Sequence, residues 1–124
     1  MSRHQGQCLC GSIQFSFFDE PRFVAECVCQ SCRVAHGATA VCWVGVAESQ
    51  FLQDADQEKL KWFSSSSESE RGFCTNCGTR IFSRSSKRPG EIHMARTCFE
   101  SDDLVSKGVA FADEFPFWST LTHK

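Results

Sequence analysis

The sequence predicts a mainly β fold with one or two short helical turns. Three observations lead there. "SIQFSFF", residues 12–18, alternates Ile13, Phe15 and Phe17 with Ser12, Gln14 and Ser16, the period of a half-buried strand. "TAVCWVGV", 39–46, is rich in β-branched and aromatic residues and reads as a strand buried on both faces. Twelve phenylalanines against no tyrosine suit packed sheets better than an adaptable surface.

The remaining elements follow in order. "QSCRVAH", 30–36, has room for one or two helical turns before Gly37, a residue suited to a left-handed helix end. "ESQFLQDA", 48–55, and "FESDDLV", 99–105, read as single turns capped by Ser or Asp. "KLKWF" (59–63), "TRIFSRS" (79–85) and "EIHMART" (91–97) are strand candidates, and "GVAFADEF" (108–115) is a weaker one. "SSSSESE", 64–70, is polar and aperiodic, a mobile loop joining two strands.

With 124 residues, the expectation is a single domain, 1–124, with its motifs between 5 and 118. The net charge of -2 leaves no electrostatic footprint of a nucleic-acid binder. No apolar run approaches the roughly 20 residues that span a bilayer. The N-terminal "MSRHQGQCLCGS" lacks the apolar stretch of a secretory signal, so a cytoplasmic location is expected. The oligomeric state is left open.

Nine cysteines is a heavy and odd-numbered load. In a reducing compartment, dense cysteines bind metal or do chemistry more often than they form disulfides. "CLCG" and "CTNCG" each place two cysteines before a glycine, the pattern of a zinc knuckle. The backbone must curl until its amides point at the thiolates, and glycine permits the positive φ that this requires. Cys8, Cys10, Cys74 and Cys77 together supply the four sulfurs of a structural zinc, clipping distant parts of the chain together.

Cys27, Cys29 and Cys32, in "CVCQSC", remain as a set of three. Three protein ligands and one open position is the arrangement of a catalytic zinc. A sulfur-rich site favours a soft fourth ligand, so a small thiol is a reasonable substrate, held as thiolate by the metal. Two other readings stand beside this one. The triplet closes as a second structural site through Cys42, Cys98, His36 or His93, or it forms a metal-free Cys27–Cys29 or Cys29–Cys32 disulfide as a redox sensor. Arg33 and Arg96 are the cations to test against substrate carboxylates.

In this order, "GQCLCGSIQFSF", "CVCQSCRVAHGA" and "RGFCTNCGTRIF" resemble the glutathione-dependent formaldehyde-activating enzyme family, also called centromere-protein-V-like. The resemblance implies a β-tent-like fold of mostly antiparallel strands. It implies a structural zinc on Cys8, Cys10, Cys74 and Cys77, and a second, labile zinc on Cys27, Cys29 and Cys32 at the active site. It further implies a carbon–sulfur lyase whose substrate is a glutathione adduct such as S-hydroxymethylglutathione. The centromeric branch implies an alternative, a non-catalytic zinc module with a protein partner, for which Trp43, Trp62 and Trp118 are candidate contacts. After "EIHMART" the family commonly continues Gly-Thr-Leu-Asp, where this chain has Cys98, Phe99, Glu100 and Ser101.

Overall fold

A computed structural model describes residues 3–53 and 57–121. Its strands are β1 (Arg3–Gln7), β2 (Gln14–Phe18), β3 (Phe23–Cys27), β4 (Val41–Ala47) and β5 (Phe51–Gln53). They continue with β6 (Leu60–Ser64), β7 (Ser69–Cys74), β8 (Arg80–Ser85), β9 (Glu91–Ala95) and β10 (Val109–Ala110). The α-helix among the described residues is α1 (Gln30–His36). Two sheets form, β1-β2-β5 and β10-β3-β4-β9-β8-β7-β6, and every pairing is antiparallel except β10 with β3. The mainly β class is what the chain adopts. Among the described residues, no helix is long and apolar enough to cross a membrane.

Phenylalanine joins the sheets. Phe15 and Phe17 of β2 are fully buried, and Phe15 meets the Phe82 ring of β8 edge-on at 5.0 Å and Phe99 at 5.4 Å. Burying each such ring contributes roughly 1.5–3 kcal/mol. Ser16 is buried as well, so β2 is covered on both faces more fully than its alternation suggests. β4 lies between β3 and β9 and buries most of both faces, as its composition predicts. Gly45 in β4 meets the Phe23 ring so closely that a Cβ there would lie 2.2 Å from it.

The structure corrects several element readings. β1 and β7 have no apolar pattern in the sequence, and β3 is a short apolar run interrupted by Glu26; β7 forms because it pairs on both sides, with β6 and β8. The serine-rich loop shrinks accordingly to the residues between Ser64 and Ser69. The turn expected over 48–55 is a 3-10 turn at Glu48–Gln50 that passes directly into β5, and Asp54 and Ala55 lie outside the described residues. No helical turn forms over 99–105. Arg96 donates to the carbonyls of Phe99, Ser101 and Leu104, which are then committed to a side chain instead of to a local turn. The 91–97 strand ends at Ala95, and only Val109 and Ala110 of the 108–115 segment pair as a strand.

Candidate metal centres and cavity

The β1–β2 turn carries Cys8 and Cys10; the β7–β8 turn carries Cys74 and Cys77. These turns belong to different sheets, and the four sulfurs lie within 4.8 Å of one another. Gly11 and Gly78 take φ of 79° and 81°, the left-handed conformation anticipated for the knuckles. The curled backbone aims the Ile13 amide at Cys8 Sγ (3.3 Å) and the Cys77 amide at Cys74 Sγ (3.5 Å). Zinc–sulfur bonds of about 2.3 Å at tetrahedral angles put neighbouring sulfurs about 3.8 Å apart. Cys8 to Cys10 is 3.7 Å and Cys10 to Cys74 is 3.8 Å, so the quartet fits the ion. Hydrogen bonds from Asn76 and Ser12 hold the Cys10 thiol down to about 5, while burial pushes Cys8 up to about 11.

Cys27 ends β3, Cys29 is the N-cap of α1, and Cys32 lies in its first turn. The N-cap role explains the spacing: Cys29 Sγ accepts the Cys32 amide at 3.4 Å, and Gly37 closes the helix at φ 60°. The three sulfurs also lie within 4.8 Å of one another, with Cys27 and Cys29 3.4 Å apart. Among the described residues, no further Cys, His, Asp or Glu ligand atom joins the three. Cys42 and Cys98 pack against the core and burial raises both thiols, Cys98 to about 12. His36 faces Arg71 and the Trp43 ring, and burial, with Arg71 and Arg80, lowers it to about 4. His93 is held by Glu91.

Arg71 stands behind the triplet and was not singled out from the sequence. It is 5% exposed, and Nη2 points at Cys32 Sγ (3.6 Å) and Ser31 Oγ (3.3 Å). A hydrogen bond from Cys27 and then Arg71 outweigh burial and bring Cys32 down to about 5, while Cys27 is pushed up by Cys32 and burial. Arg71 was legible only as a letter in "RGFC", three residues before Cys74 of the other cluster.

A cavity of about 560 Å³ opens onto the triplet, lined also by Arg22, Phe23, Trp43, Arg88, His93 and Phe111. Arg22 and Arg88 both bind the buried Glu91 carboxylate, at 2.8 and 2.5 Å, and His93 Nε2 lies 2.7 Å from it. Arg33 and Arg96 are not among the residues that line this cavity, and both donate to backbone carbonyls. Of the tryptophans, Trp43 is buried, Trp62 packs on the core and Trp118 is exposed.

The profile of the glutathione-dependent formaldehyde-activating enzyme family matches residues 3–114. The chain belongs to that family. Both cysteine clusters, Arg71 and the Arg22–Glu91–Arg88 network lie inside the matched span. An uncharacterized lyase of Schizosaccharomyces pombe is 29% identical over 82 residues, which are 66% of this chain and 58% of that protein. The chain therefore spans less than two thirds of the length of that relative. A crystal structure of a Rhodobacter sphaeroides protein superposes with a TM-score of 0.68 at 19% identity, covering 86% of this chain and 99% of that one. It shares the fold.

Proposed function

We propose that this family member is a carbon–sulfur lyase acting on a small thiol adduct such as S-hydroxymethylglutathione. One observation carries the reading: three clustered sulfurs, without a fourth protein ligand among the described residues, face a cavity of about 560 Å³. Cys27, Cys29 and Cys32 would hold a zinc ion, which would supply a Lewis acid able to keep a visiting sulfur as thiolate at neutral pH.

The protein's own residues orient the adduct. β3 runs along the cavity, from Phe23 beside the arginines to Cys27 at the triplet, a Cα separation of about 13 Å at the usual strand rise. Arg22 and Arg88 share one carboxylate, so one positive charge is left for an anionic group distant from the sulfur. Glu26, on the same wall, offers the opposite charge to an ammonium group. A peptide-sized thiol bearing both charges suits these fittings. In the lyase direction the carbon–sulfur bond breaks and its electron pair leaves with sulfur. The hydroxyl O–H pair becomes the new carbonyl bond, and the released proton returns to the thiolate as it departs. His93 is the group on the cavity wall to carry that proton, since donation of Nε2–H to Glu91 leaves Nδ1 as the acceptor.

Exchange NMR between S-hydroxymethylglutathione and its components tests this. Zinc-loaded protein should accelerate the exchange, and Cys29→Ser should abolish the acceleration while the fold and the four-cysteine metal persist. An exchange rate equal to that of buffer, with both sites loaded, removes the lyase reading.

A further inference from the structure

Phe111 has a backbone conformation that its side chain makes costly. Its φ is 59° and ψ 40°, the left-handed region, where a bulky residue is a genuine outlier. Its ring gains little from burial, being 59% exposed. The surrounding chain nevertheless leaves it no choice. On one side, β10 is zipped to β3, with Ala110 beside Cys27 and its carbonyl accepting the Val28 amide at 3.3 Å. On the other side, the Glu114 carboxylate accepts the Gln30 amide at 3.1 Å and the Glu114 carbonyl accepts from Arg33 at 3.2 Å. Both clamps fall on the residues that flank the cysteine triplet. Between them Phe111 is left at the wall of the cavity, which Phe23 and Trp43 also line.

Strained residues persist where surrounding structure over-determines them, and they gather at ligand sites. We infer that Phe111 is a specificity-determining residue, held in its left-handed conformation so that its ring covers the carbon skeleton of a thiol substrate whose sulfur sits at Cys27, Cys29 and Cys32. Arg33 then has a defined role too. It ties the Phe111 segment to α1 and so positions the ring without touching substrate. This inference rests on the thiol-adduct reading of the same cavity and adds to it the apolar contact that closes over the bound molecule.

The test separates strain from contact. Asn tolerates the left-handed region, so Phe111→Asn relieves the backbone while removing the ring. Thermal unfolding and calorimetric titration with glutathione are compared for zinc-loaded wild type, Phe111→Asn and Phe111→Tyr. Phe111→Asn should unfold at the wild-type temperature or above it, yet bind glutathione about tenfold more weakly, the value of one buried aromatic contact. Phe111→Tyr, which keeps the ring, should bind like wild type. Equal binding by Phe111→Asn overturns the inference and leaves the lyase reading intact; so does a loss of binding accompanied by a comparable loss of stability. A wild-type protein that binds no glutathione with both sites loaded overturns both.

Discussion

A guanidinium shut away from water needs a negative partner, and Arg71 meets no carboxylate within ion-pair distance among the described residues. Its nearest anionic candidate is the cysteine triplet, through Cys32 Sγ at 3.6 Å: three thiolates with a divalent ion bound would sum to one negative charge, which one arginine would balance. Arg71→Met should therefore weaken metal binding at the triplet by about 10–100-fold, the usual cost of losing a group that supports a ligand. The quartet should keep its metal, and Arg71→Lys should recover part of the loss. Metal content after graded chelation reads both sites. Glu91 offers a second residue-scale prediction. Burial would raise its carboxyl, but hydrogen bonds from Arg88, His93 and Arg22 prevail and lower it from 4.5 to about 2. A depressed folded-state value means that the stability it contributes is complete above pH 4.5 and is lost as pH falls toward 2. The advantage of wild type over Glu91→Gln in urea unfolding should shrink across that window. A constant difference would mean the carboxylate charge is not what matters.

At the scale of the element, the Phe23 ring of β3 lies over its cross-strand partner in β4 because residue 45 has no side chain. Gly45→Ala places a methyl inside the Phe23 ring, so either the strands part or Phe23 swings into the cavity. Overpacking of this kind costs about 1–3 kcal/mol, which thermal unfolding will show, and glutathione affinity should fall with it. A variant as stable as wild type would mean Phe23 has room to retreat. The same pair of strands shows what the sequence discloses. β4 announces itself, because its residues are buried by their own chemistry. β3, "FVAEC", has Glu26 and Cys27 where a strand reading looks for a simple apolar pattern, since the strand lines the cavity along its length. β7 hides for the same reason: "SERGFC" buries Arg71 to serve the triplet, so its function erases its periodicity. The cysteine clusters were legible because a set of residues able to hold one metal ion needs close, regular spacing along the chain. The arginines of the cavity were not, because Arg22 and Arg88 meet only through Glu91, which tertiary structure brings to them.

For the whole molecule, the two clusters differ in what they join. Cys8, Cys10, Cys74 and Cys77 connect a turn of the small sheet to a turn of the large one, and Cys8 and Cys74 are 1% and 0% exposed within the core. Cys27, Cys29 and Cys32 link one strand end to the helix that follows it. A structural zinc contributes an apparent 10–16 kcal/mol or so, against a net stability of about 5–15 kcal/mol for a domain. Loss of the quartet's metal should thus exhaust the stability of the fold, whereas loss of the triplet's metal releases only a short local segment. Cys74→Ser should be unfolded or aggregated when purified, while Cys29→Ser should retain its near-ultraviolet circular dichroism and a cooperative thermal transition. Chelation of wild type should proceed in the same order, with the triplet emptied before any tertiary signal is lost. Equal damage from the two substitutions would make the triplet a second structural clip and leave the cavity without its reactive end.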